Sequence, residues 1–227
     1  MAEFLTGNAF FACTLTVLAF LLGQLVQKKW KLAILNPILL AAVGIGIFLT
    51  AAKIPNSEYQ KGVEFLNFLL TPATISLSVS LYTQVKKLRT HLGAILAGAL
   101  GGTVSAILLI WAMARGLGLN TTLQYSLLPK SLTTAIGVAL SEEMGGIGAV
   151  TTAAIIATGI LGNITGPFLS KLLKLTDPIA QGVAYGTASH VIGTARAASV
   201  SELAGAVSSL SLTVAGVFSC VILAFLV

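Results

Sequence analysis

Lys130, Glu142, Glu143, His190, Arg196 and Glu202 stand within or at the edges of long apolar segments. An ionised side chain at the centre of a bilayer costs about 2.5–3.5 kcal/mol on insertion scales, so each charge requires a compensating partner. Residues 185–196 read Tyr-Gly-Thr-Ala-Ser-His-Val-Ile-Gly-Thr-Ala-Arg. Gly193 permits a helix break there, and the hydroxyls of Thr187, Ser189 and Thr194 can replace the hydration of a bound solute. Arg196 offers a planar fork suited to a carboxylate. His190 titrates near neutral pH and, with Glu142, is a candidate for proton coupling. Duller roles stand beside these: a structural histidine donating to a neighbouring carbonyl, an arginine reaching the headgroups, and glutamates sitting in interfacial water.

Two proline-centred clusters interrupt apolar runs, Thr71-Pro72-Ala73-Thr74 and Pro129-Lys130-Ser131. Pro72 and Pro129 are candidate helix breaks, and Pro72, which denies the helix one hydrogen bond, leaves free amides over Thr71 to Thr74 at a helix N-terminus that attracts anions. Non-helical backbone at membrane depth is tolerated only where it is buried in protein or lines a cavity. These breaks therefore mark candidate binding segments. Beyond Pro129, a helix over 131–143 places Thr134 and Ser141 two turns apart on one face, with Thr133 at its start and Glu142 near its end. Ser76, Ser78 and Ser80 follow Pro72 at alternate positions; hydrogen bonding to their own backbone or close helix packing explains such serines equally well.

The elements that must hold these residues are set by composition. Of 227 residues, 56% are hydrophobic and 9% charged, with a mean hydropathy of +0.96, whereas soluble domains carry charge on about a quarter of their residues. Uncharged runs cover 4–26, 32–52, 65–85, 92–114, 144–170 and 203–227, each meeting the requirement of about 20 residues for a spanning helix. Residues 116–141 and 178–195 form shorter or broken segments, giving seven or eight passes. The fold class is thus an all-α integral membrane protein with discontinuous or re-entrant helices, in a single multi-pass domain over 1–227.

Basic residues cluster at Lys28, Lys29 and Lys31, at Lys86, Lys87, Arg89 and His91, and at Lys171 and Lys174. The positive-inside rule places all three loops in the cytoplasm. A full crossing by 127–143 would put the third outside, and a re-entrant segment there restores it. An offset of about half the length sets Pro72-Ala73-Thr74 against Thr187-Ala188-Ser189, which suggests repeat halves 1–115 and 116–227 of the kind used by alternating-access transporters.

Several classes are excluded or disfavoured. The longest hydrophilic loop is 53–62, too short for a soluble catalytic domain, and a cleavable signal peptide is not expected because the first residues carry Glu3 and no basic residue. Cys13 and Cys220 lie inside apolar runs and read as small hydrophobes. No metal site, cofactor or enzymatic motif is expected, since paired intramembrane aspartates, HExxH and Gly-x-Ser-x-Gly are all missing from the sequence. Scattered basic residues without interleaved aromatics argue against nucleic acid.

The runs Asn36-Pro37-Ile38-Leu39, Leu70-Thr71-Pro72-Ala73-Thr74, Leu127-Leu128-Pro129-Lys130-Ser131-Leu132-Thr133-Thr134, Thr158-Gly159-Ile160, Gly162-Asn163 with Gly166-Pro167, and His190 with Gly193-Thr194-Ala195-Arg196 resemble the LrgB/CidB family over nearly the whole chain. The chain departs from that pattern at Ser76, Ser78 and Ser80, at Ala135, and in keeping only Glu202 after Arg196. The resemblance implies a multi-pass protein of the plasma (inner) membrane, paired with a small LrgA/CidA-type partner. Bacterial members are described as antiholin-like regulators of murein hydrolase activity and cell lysis; the plastid relative exchanges glycolate and glycerate, and several bacterial relatives are linked to pyruvate uptake. Residues and resemblance together lead to the expectation of a transporter of small monocarboxylates, with an antiholin-like regulator as the alternative. Its candidate substrate-binding residues are Asn36, Thr71, Ala73, Thr74, Lys130, Ser131, Thr133, Thr134, Thr187, Ser189, Thr194 and Arg196. Gly-rich faces leave room for a homo-oligomer.

Overall fold

A computed structural model describes residues 8–30, 35, 37–69, 72, 75, 79 and 82–226. Among them, four helices are long and apolar enough to cross a membrane: α1 (Ala9–Trp30), α6 (Leu92–Gly116), α9 (Gly148–Leu172) and α11 (Glu202–Ala224). A shorter apolar helix, α2 (Pro37–Ala51), the short helices α3 (Asn56–Gly62), α4 (Glu64–Phe68), α5 (Val85–Thr90), α7 (Thr121–Leu127) and α8 (Thr134–Glu143), and the 23-residue, interrupted α10 (Pro178–Val200) complete the described elements. The chain is thus all-helical with four clear candidate spans, fewer than the seven or eight segments expected. Within the expected segment over 65–85, residues 70, 71, 73, 74, 76–78, 80 and 81 lie outside the described residues.

Contacts divide the chain into two compact units, Met1–Ser76 and Leu77–Val227. In the first, α1 lies along α2 where Gly23 leaves space: a Cβ there would sit 2.8 Å from the Pro37 carbonyl oxygen. Thr16 Oγ1 shares a 2.6 Å hydrogen bond with Tyr59 Oη, tying α1 to α3.

The second unit carries the singled-out polar runs 129–143 and 185–202. Here α7 and α8 are the two legs of a hairpin. Near its open end, the Ile147 amide donates to Ser126 Oγ at 2.7 Å and Thr151 Oγ1 donates to Ser141 Oγ at 2.6 Å. Near its tip, the turn at 128–131 brings the Pro129 carbonyl over Gly137, whose Cβ would lie 3.2 Å from that oxygen. Thr133, in extended geometry (φ −67°, ψ 149°), starts the returning leg.

The helix α10 folds back as well. Ser189 (φ −133°, ψ 16°) and His190 (φ 43°, ψ −136°) leave helical geometry. A Cβ on Gly193 would then lie 2.5 Å from the Tyr185 carbonyl oxygen, whereas eight residues of continuous helix separate their ends by about 12 Å. Tyr185 on one leg and Ala197 on the other meet in one buried cluster with Ala204 of α11. The break expected at Gly193 therefore occurs earlier, at Ser189–His190, and Gly193 is instead the point of closest approach between the legs. Because backbone blocks the added methyl, Gly193→Ala is expected to cost about 1–3 kcal/mol, as overpacking does, read as a lower unfolding midpoint in detergent.

The hairpins enter from opposite ends. Leu88 of α5 packs with Ile95, Ile179, Val183, Leu203 and Val207, so the starts of α6, α10 and α11 share one end with Lys86, Lys87 and Arg89. At the other end, Tyr125, Leu128, Leu140 and Met144 of the first hairpin pack with Ile107, Ile110 and Trp111 of α6 and Leu223 of α11. Since α9 runs from that far end back, Lys171 and Lys174 join the basic end. Folding 121–143 back on itself is what removes the topological conflict posed by these two lysines. Small residues allow the close packing of α11 on α10: Gly182 faces Ala204 and Val207, and Gly186 faces Ser208 and Ser211, the usual device of membrane helix pairs.

Candidate functional site

The two hairpin tips approach each other beside the middle of α9. Ile155 Cδ1 lies against Gly137 of the first hairpin, and the Ile155 carbonyl accepts from His190 Nε2 of the second at 2.8 Å. One turn on, Gly159 faces the His190 ring, and Gly162 faces Ser189 so closely that any side chain would collide with it. A carbonyl only accepts, so Nε2 carries the hydrogen in this bond.

A cavity of about 500 Å³ opens between α9, the first leg of α10 and the tip lysine. Lys130 enters it with Thr158, Thr165, Ser170, Tyr185 and Ser189, amid Leu161, Leu169, Leu173 and Leu175. One cation among hydroxyls and aliphatic side chains suits a small anion with a short apolar or hydroxylated body. On the other face of the tips lies a much smaller space of about 10 Å³, lined by Thr103, Ser131, Thr187 and Ser219. It is the size of a single water, and Thr103 Oγ1 is buried beside it without a hydrogen-bond partner.

The LrgB-like family model matches residues 16–227. The chain belongs to the LrgB-like family. It is 33% identical over 219 residues to proteins called "Antiholin-like protein LrgB" from Bacillus mycoides (strain KBAB4), Bacillus cereus (strain B4264) and Bacillus anthracis (strain CDC 684 / NRRL 3495), covering 96% of this chain and 95% of each relative. No solved structure matches it.

In this LrgB-family chain the structure sorts the sequence-derived residues into groups. Lys130 and Ser189 share the larger cavity, and Ser131 and Thr187 share the smaller one. Thr194 is committed internally: Oγ1 donates to the His190 carbonyl at 3.0 Å and shares a 2.9 Å bond with Ser208 Oγ. Pro129 is fully buried at the first tip, Thr133 starts α8, and Thr134 beside it is exposed. Arg196 lines neither cavity; it belongs to a third one nearer the basic end. Glu142 is exposed, its carboxylate over Gly148 at the start of α9. His190 lies near Ile155, about 10 Å further along that helix, so the two proton-coupling candidates are not brought together. Asn36, Thr71, Ala73 and Thr74 lie outside the described residues, whereas Pro72 is described as helical and exposed.

Sequence reasoning leaves four residues without a role. Tyr185 lies between cavities, Thr103 faces the tip of the first hairpin, and Ser126 with Thr151 closes that hairpin's open end. Each depends on a partner far away in sequence, which local patterns do not reveal.

Proposed function

We propose that this LrgB-family protein is a carrier of small organic anions of the monocarboxylate class, working by alternating access and catalysing no covalent reaction. The observation that carries this reading is the meeting, beside the middle of α9, of two oppositely entering hairpins around one lysine and a group of hydroxyls. Discontinuous helices converging near mid-depth are the usual site architecture of secondary transporters. The basic end, with Lys86, Lys87, Arg89, Lys171 and Lys174, faces the cytoplasm on the positive-inside rule, and the protein resides in the plasma membrane.

The returning legs support an inverted repeat, although at a different offset from the half-length one. Residues 134–142 read Thr-Ala-Ile-Gly-Val-Ala-Leu-Ser-Glu and residues 194–202 read Thr-Ala-Arg-Ala-Ala-Ser-Val-Ser-Glu, with Thr, Ala, Ser and Glu in identical places. In this proposal α6 with the first hairpin, and α9 with the second, are two copies of one unit in opposite orientation. Exchange of the site between the two faces then follows from moving one pair against the other.

A second reading has its own support. The relatives are named antiholin-like, which fits a regulator of murein hydrolases acting with an LrgA/CidA-type membrane partner. Counterflow of labelled glycolate, lactate and pyruvate in liposomes containing only this chain separates the two. Saturable, self-exchanging uptake is expected; leak-level uptake of all three from correctly folded protein transfers the case to the partner-dependent regulator.

A further inference from the structure

The third cavity, at the basic end, has a volume of about 550 Å³. Lys171 and Lys174 from the end of α9 and the turn after it, Gln181 and Tyr185 from the outgoing leg of the second hairpin, and Arg196 from its returning leg line it. No acidic side chain is in that lining. Asp177, the acid nearest in sequence, accepts from the Ile179 amide at 2.9 Å as the cap of α10. None of the three cations is ion-paired among the described residues, and Arg196 Nε is buried without any hydrogen-bond partner. A guanidinium N–H buried without a partner is costly unless something fills its place.

This cavity abuts the one that holds Lys130: Ser170, Leu175 and Tyr185 contribute to both. Tyr185 is buried, its ring against Gly166 so closely that no side chain fits there, and it packs on Ala197 and Ala204. A thin partition centred on one aromatic ring therefore separates a three-cation vestibule from a one-cation inner chamber. The partition is built on the hairpin whose two legs Tyr185 and Arg196 occupy, so a shift of that hairpin moves the ring and the guanidinium together.

We propose that the vestibule is a loading site for a small carboxylate arriving from the basic face, held by Arg196 with Lys171 and Lys174 before it passes Tyr185 to Lys130. This rests on the carrier reading above. The charges attract the anion along its approach, and the bidentate fork of Arg196 orients it.

The same cations suit the phosphate of a lipid headgroup, and the experiment separates the sources. Protein is reconstituted in phosphatidylcholine vesicles with and without phosphatidylglycerol, and counterflow of pyruvate is measured from each face. Arg196→Gln is expected to raise the half-saturating pyruvate concentration about ten-fold from the basic face alone, with the saturated rate kept within two-fold, in both lipids. Lys171→Gln with Lys174→Gln shifts it the same way by a smaller factor and guards against misfolding of the arginine variant. An equal shift from both faces, or none in either variant, overturns the proposal. So does a change confined to vesicles with phosphatidylglycerol, which assigns the cluster to headgroups. Thermal stabilisation of the detergent-solubilised protein by pyruvate gives an arm independent of transport. If the wild type binds through Arg196 yet carries nothing, the vestibule stands and the carrier reading falls; if the wild type carries pyruvate and Arg196→Gln matches it throughout, the vestibule alone falls.

Discussion

Lys130→Met is expected to lower pyruvate or glycolate counterflow at sub-saturating concentration by at least ten-fold, while leaving the unfolding midpoint in detergent close to that of the wild type. Both halves of this expectation come from the same geometry. Lys130 sits at the tip of the first hairpin, where its backbone amide donates to the Leu127 carbonyl at 3.1 Å, and its ammonium makes neither a hydrogen bond nor an ion pair among the described residues. The fold therefore loses little when the charge is removed, and methionine keeps much of the aliphatic stem. A charge-assisted hydrogen bond to an anion contributes about 1.5–3 kcal/mol, and about 1.4 kcal/mol is a factor of ten in affinity, which sets the expected loss between about ten- and 150-fold. Lys130→Arg keeps the charge but exchanges a compact ammonium for a wide fork, so partial recovery is expected. Counterflow in Lys130→Met at the wild-type level would mean that the anion binds elsewhere.

That residue was legible because the chemistry is local: a proline, a lysine and a serine interrupt an apolar run, and a bilayer tolerates such a run only for a reason. The spans were legible on the same footing, since 25 residues of α6 and 25 of α9 announce themselves by length and lack of charge. The folding-back of 121–143 was reachable through Lys171 and Lys174, whose side of the membrane depends on it. What the sequence hid is the consequence of reversal. Between Ser189 and Arg196 the chain turns round, so residues that read as one polar stretch separate, Ser189 into the Lys130 cavity, Thr194 into a bond with Ser208, and Arg196 into the vestibule. Glycine is the natural candidate for a break, which points to Gly193. The chain instead makes the turn at a histidine, and spends its glycines on the approaches of α9 and of the two legs.

His190 supplies the last prediction. Its φ of 43° and ψ of −136° lie in a region that a side chain makes costly, by about 1–3 kcal/mol, and three contacts keep it there. The ring donates through Nε2 to the Ile155 carbonyl at 2.8 Å, it fills the space over Gly159, and the His190 carbonyl accepts from Thr194 Oγ1 at 3.0 Å. Alanine at this position loses the ring anchor and keeps the backbone strain; glycine loses the anchor and relieves the strain. His190→Gly is therefore expected to be the more stable of the two by about 1–3 kcal/mol. In a helix interior the order is reversed, glycine costing about 1 kcal/mol more than alanine, so the pair distinguishes a turn from a continuous helix. The readout is the difference between the two unfolding midpoints in one detergent, and an alanine variant more stable than the glycine one would rule out the reversed chain. The same anchor bears on proton coupling. With the Nε2 hydrogen committed to Ile155 and Glu142 exposed at the far end of the first hairpin, His190→Gln is expected to lower stability and yet retain the wild-type pH dependence of uptake, because the ring's task is to hold the tip in place.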